Sequence, residues 1–168
     1  MASYPIRRPE PSRPRRPNVH RSDSGFTLSE LVVTIAIVVL LVTLAAPAFA
    51  TFIVSQRVST AATDVYIALT TARSEAMKRA ANVRLSPATG GWKDGWFVAD
   101  PAISGRNVLS HGALSGATVS GPDTVVFQHS GRIDGTSPTF TITFASGSST
   151  ATKCVVTDLS GRAYVKSC

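Results

Sequence analysis

Apolar and polar positions change rhythm three times along the chain. From Leu31 to Gln56 there are 26 consecutive residues without a charge. As a helix this run is about 39 Å long, at ~1.5 Å per residue. A hydrocarbon core needs roughly 20 such residues, so the run is long enough to cross a membrane. Next, Val58, Ala62, Val65, Leu69, Ala72 and Ala76 recur at alternating steps of four and three, one face of an amphipathic helix. Arg57, Asp64, Arg73, Glu75, Lys78 and Arg79 fall mostly around the rest of it. With no glycine and only Pro47 inside the apolar run, the pattern predicts a single helix over 26–81. After Asn82 the composition turns to glycine, serine, threonine and β-branched residues. Strands are expected at 95–99, 108–114, 124–128, 139–144, 153–157 and 162–166. The run TFTITF sets Phe140, Ile142 and Phe144 on one face, and CVVTDLSGRAYVK reads as a hairpin turning at 158–161. One long helix followed by antiparallel strands predicts an α+β chain whose small β-rich head needs the second half of the helix to complete its core.

Charge adds a leader to this picture. Of 17 basic and 10 acidic side chains, residues 1–25 hold six arginines against Glu10 and Asp23, a net +4, and the remainder a net +3. A segment so rich in proline and arginine has little apolar surface to bury and is expected to be disordered. Arginines ahead of the apolar run put the leader in the cytoplasm and export the remainder of the chain. Cys154 and Cys168 are the sole cysteines, and in an exported head a disulfide is their natural reading. Closing a loop of about fifteen residues contributes roughly 3 kcal/mol in the chain-entropy model. Two thiols and three scattered histidines show no metal-ligand spacing, so no metal and no cofactor is expected.

The apolar run carries one oddity, Glu30 at its start. Three processing readings account for the segment. A secretory signal would be cut after Ala48-Phe49-Ala50, and an uncleaved signal anchor would keep everything; in both, a carboxylate inside a membrane helix costs a few kcal/mol, ~2.5 upward, for no return. A prepilin would be cut after Gly25, creating a free amine at Phe26 one turn from Glu30. There the helix start favours an anion, and a neighbouring subunit's amine could complete the neutralisation.

The stretch GFTLSE ahead of an apolar run resembles the processing site of type IV pilins and pseudopilins. The resemblance implies cleavage and N-methylation at Gly25–Phe26 by a prepilin peptidase, an assembly role for Glu30, and a helix loosened at Pro47. TTARSEAMKR, GWKDGWFVAD, VVFQHSGRI and SGRAYVKSC are similar, in that order, to the GspH/FimT family, which comprises minor pilins of type IV pili and H-type pseudopilins of type II secretion. The similarity implies a type IV pilin fold divided into a cleaved leader (1–25), a transmembrane and assembly helix (26–56), an amphipathic exported half-helix (57–81) and a head (82–168). It also implies a subunit near the tip of a filament, partnered by other minor and major pilins or pseudopilins. Such a subunit would sit in the inner membrane with its head in the periplasm before assembly.

Enzymatic signatures such as HExxH, GxSxG or a P-loop do not occur, so no catalytic residue is expected. DNA is the partner that needs weighing. One branch of the family is connected with DNA capture in natural transformation through a basic motif GRxR; here the residues are Gly161, Arg162, Ala163 and Tyr164, with tyrosine in the second arginine's place. Strand alternation would set Arg162, Tyr164 and Lys166 on one face, a stripe suited to phosphates and a stacked base, or simply a solvated face. Bland readings also exist for the other motifs: charges at 73–79 as the wet side of a helix, Trp92 and Trp96 as core anchors, and Gly131 and Gly161 as turn residues.

Overall fold

The structure, a computed structural model, describes residues 25–168, without the side chains of Ala46 and Pro47. The leader therefore lies outside the described residues. These fall into two units that divide between Val39 and Leu40.

In the first unit, residues 25–27 are non-helical and exposed, and helix α1, Leu28–Arg79, begins directly after them. Leu28, Leu31, Val32, Val33, Ile35, Ile37, Val38 and Val39 are all exposed. The helix holds the one stretch among the described residues long and apolar enough to cross a membrane, with a mean hydropathy of 2.7.

In the second unit the 3.6-residue period decides the packing. Val54, Val58, Ala61, Ala62, Val65, Ala68, Leu69, Ala72 and Ala76 are buried, and they include all six residues of the predicted face. Five of the nine are alanines, which bring the helix backbone close to what covers it. At the other end α1 closes with Ala81 N–H donating to Ala76 O at 3.2 Å and Ala80 N–H to Met77 O at 3.4 Å. Ala80 sits there at φ 50°, the left-handed position that usually takes glycine.

Eight strands follow: β1 Val83–Ala88, β2 Gly91–Ala99, β3 Asn107–His111, β4 Ala117–Ser120, β5 Val125–Phe127, β6 Thr139–Ser146, β7 Ser149–Thr157 and β8 Ala163–Lys166. They form two four-stranded antiparallel sheets, ordered β3-β2-β1-β5 and β4-β6-β7-β8. Leu85, Trp96, Val98 and Phe127 from the first sheet and Phe140, Ile142, Phe144 and Val155 from the second join the helix face in one apolar cluster.

Two strands escape the sequence pattern. Strand β1 carries Pro87, which argues against a strand. However, β5 pairs only with Val83–Leu85, so beyond Leu85 β1 is an edge where a missing N–H is tolerated. Strand β4 is short and half-exposed. The first half of β2 is masked by Gly91 and Gly95. A side chain at Gly95 would collide with the backbone carbonyl of His111 on β3, so only glycine allows that pairing. Trp92 and Trp96 are both buried. Trp92 meets Phe140 edge to face at 4.7 Å, and the Trp96 ring stacks on His111 at 4.1 Å.

Candidate functional site

At the start of α1 the carboxylate has a partner within its own turn. Thr27 N–H and Thr27 Oγ1 both donate to Glu30 Oε2, at 2.9 and 3.0 Å. Glu30 N–H in turn donates to Thr27 Oγ1 at 3.3 Å. This is a reciprocal capping box: Thr27 is the cap, Glu30 stands three residues on, and two N–H groups that helix starts leave unpaired are satisfied together. The T-x-x-E spacing was readable in the sequence. The bond between Gly25 and Phe26 lies just outside this turn, in exposed non-helical backbone. Pro47 falls inside α1, where it can donate no backbone hydrogen bond to the helical ladder.

The charges at 73–79 do more than face water. Arg79 pairs with Glu75 at 2.6 Å and, across 21 residues of sequence, with Asp100 at 2.7 Å. The Asp100 side chain is fully buried and is also held by the Ala102 N–H and by Arg106. The Ala102 N–H first, then Arg106 and Arg79, hold its carboxyl below the ordinary range against the opposing cost of burial. Glu75 is lowered too, chiefly by its hydrogen bond from Arg79. The pairs of Glu75 with Lys78 and Arg79 follow from helical spacing, whereas the link to Asp100 does not.

Strands β7 and β8 join through a turn at 158–162. Asp158 N–H donates to Arg162 O at 3.0 Å and Gly161 N–H to Asp158 O at 2.9 Å. Gly161 has φ 82°, so glycine is required there. The Asp158 carboxylate accepts from the Ser160 hydroxyl, the Arg162 N–H at 2.9 Å and Arg162 Nε at 3.2 Å. Led by Ser160 and the Arg162 N–H, these bonds lower its pKa to about 2. Arg162 thus stands in the turn ahead of β8, with its side chain 75% exposed. On β8, Tyr164 is paired across from Val156 and Lys166 from Cys154, so the two lie on one exposed face. Cys154 and Cys168 are joined, their Cα atoms 5.2 Å apart, which fastens the segment after β8 to β7.

Residues 61–161 match the family model described as Type II transport protein GspH, and residues 20–46 match the prokaryotic N-terminal methylation motif. In fold the chain is similar to two crystal structures of the type IV minor pilin FimU from Pseudomonas aeruginosa (strain PAO1). One gives a TM-score of 0.56 at 18% identity, covering 66% of this chain and 89% of that one. The other gives 0.54 at 19%, covering 64% and 91%. The methylation motif implies processing by a prepilin peptidase and assembly with other pilins. The apolar helix and the family together indicate membrane anchoring before assembly. The chain belongs to the GspH/FimT family of type IV pilin-like proteins, structural subunits of the minor-pilin or pseudopilin kind.

Proposed function

We propose that this chain is a minor subunit carried at or near the tip of a type IV pilus. Residues 1–25 are removed at the Gly25–Phe26 bond and the new N-terminus at Phe26 is methylated. Residues 26–56 anchor the chain in the inner membrane and later pack in the filament; residues 57–81 and 82–168 stand in the periplasm, then at the cell surface. The observation that carries this reading is the first turn of α1, where Glu30 is held by Thr27 at the head of an exposed apolar helix. A carboxylate kept there adds register to apolar packing, because a neighbouring subunit's terminal amine can approach it. In cells, Glu30→Ala is expected to leave Phe26 as the mature N-terminus by sequencing while abolishing entry into fibres. Normal incorporation of that variant would overturn the reading.

The description of the matching family model favours a second reading, an H-type pseudopilin of a type II secretion system. Deleting the gene separates the two: lost pili support the first, and retained pili with lost protein secretion support the second.

For the tip subunit we further propose DNA as a partner, contacted by Arg162, Tyr164 and Lys166. The exposed face shared by Tyr164 and Lys166, with Arg162 oriented through its Nε by Asp158, supports this reading. The mature chain, from Phe26 onward, in micelles should bind duplex DNA with a salt dependence of about 0.9 per phosphate neutralised. Unchanged binding by the Arg162→Ala/Lys166→Ala double variant would remove this face from the account.

A further inference from the structure

Between α1 and the loop after β3 lies an open groove of about 430 Å³, lined among others by Phe52, Ile53, Arg57, Ala61, Leu114 and Phe144. Ala61 and Phe144 are buried, whereas Phe52 and Ile53 stay 58% and 49% exposed. Leaving two large apolar side chains at the mouth of an apolar groove calls for something to cover them.

The groove lies where the chain leaves lipid. The uncharged run counts 26 residues, Leu31 to Gln56, and a hydrocarbon core takes roughly 20. Counted from Leu31, the core is crossed by about Ala50, which leaves Thr51 to Gln56 uncharged although no span requires it. At ~1.5 Å per residue this surplus rises about 9 Å, slightly more than one headgroup layer. Phe52, Ile53 and Gln56 of the surplus line the groove. The head comes down to the same level, because the hydroxyls of Thr51 and of Ser149, at the start of β7, share a hydrogen bond at 3.1 Å.

Charge follows the same order. Arg57 is the first charged residue after Glu30, and it lines the groove. A long cationic side chain just past a span lays its stem on apolar surface and its head among lipid phosphates. The acid on this side, Asp64, meets His111 Nε2 at 3.3 Å, and among the described residues it forms no ion pair with Arg57. Hydrocarbon walls with one cation at headgroup height match the two ends of a phospholipid.

We propose that this groove binds a phospholipid of the membrane in which α1 is anchored, with an acyl chain against Phe52, Ile53, Leu114 and Phe144 and the phosphate on Arg57. The bound lipid fastens the head to the bilayer before assembly. This rests on the anchoring of α1 in the membrane.

The test places single copies of the chain from Phe26 onward in nanodiscs of equal parts phosphatidylethanolamine and phosphatidylglycerol. A trace of phosphatidylglycerol carries a mid-chain diazirine, and adducts are mapped by mass spectrometry after irradiation. In unbound lipid that group sits about 7 Å inside the core, so it meets the head only through the groove. Adducts are expected on Leu114 and Phe144 as well as between Leu28 and Ile53. Thr60→Trp, at an exposed position lining the groove, should fill it and abolish the adducts on Leu114 and Phe144 alone. Arg57→Gln, which leaves the apolar packing untouched, should lower them about fivefold. Near-UV dichroism matching the parent assigns each loss to the contact. Adducts confined to 28–53 in the parent overturn the groove and keep the anchoring; adducts nowhere on the chain overturn both. Head adducts that persist in Thr60→Trp put the lipid elsewhere and overturn the proposal. So does a parent without head adducts whose dimers in micelles are lost in Thr60→Trp, which assigns the groove to a second copy.

Discussion

Two stretches of α1 dispose of their apolar side chains in opposite ways. Between Leu28 and Ile53 large aliphatic and aromatic side chains stand exposed, Leu44 at 76%; from Val54 to Ala76 the apolar side of the helix is closed off, with Leu69 at 0%. The residue types follow the difference. The first stretch is rich in leucine, isoleucine and valine around its whole circumference, whereas the second buries one stripe, fills much of it with alanine and leaves only Ile67 of these residue types exposed. A helix apolar all round is at rest in lipid or among other helices; one with a narrow stripe of small residues is at rest against a sheet of its own chain. The first stretch is thus stabilised by its surroundings and the second by internal packing.

That contrast can be tested with one substitution made twice. Leu69→Ala should cost about 2–5 kcal/mol, because it empties a fully enclosed site. Leu41→Ala, on an exposed site, should stay within about 0.5 kcal/mol. Guanidinium unfolding of the full chain in micelles, followed by the fluorescence of Trp92 and Trp96, measures both; equal losses would erase the distinction. Next in size is the double variant Cys154→Ser/Cys168→Ser. It should lower head stability by about 3 kcal/mol in the chain-entropy model while leaving the helical signal of the apolar stretch unchanged. A smaller effect of opposite sign is expected at the helix end. Ala80→Gly relieves a left-handed alanine and should raise the thermal midpoint through a gain of about 0.5–1 kcal/mol.

The smallest effect is the head's response to acid. Asp158 has its pKa lowered to about 2 from 3.8, so it contributes stability that is complete above pH 4 and is lost as pH falls through 2. Asp158→Asn should flatten the stability curve below pH 4. Asp100 and Glu75, both lowered, would supply the acid sensitivity that remains. An unchanged curve would mean that these bonds persist in the unfolded chain.

How far the sequence reveals this molecule depends on whether partners are near in the chain. The helix face from Val58 to Ala76 was legible because a period of three and four is local. Residues Phe140, Ile142 and Phe144 were legible for the same reason, at a period of two. Strand β1 was hidden by Pro87, which is acceptable only because β5 stops short of it, a fact of sheet order. The reach of Arg79 to Asp100 and of Arg73 to Gly131, 58 residues away, had no local signal. The capping box is different: its T-x-x-E spacing stands in the sequence, but a hydroxyl three residues from a carboxylate is a weak signal until the helix start is fixed.

Among the described residues, the cap at Thr27–Glu30 draws on no atom upstream of Thr27. Trimming the chain after Gly25 would therefore leave these three bonds with all their atoms. The precursor and its shortened product would share one initial coil, so the cutting enzyme need neither unwind nor rebuild it, and scission and helix initiation become independent events.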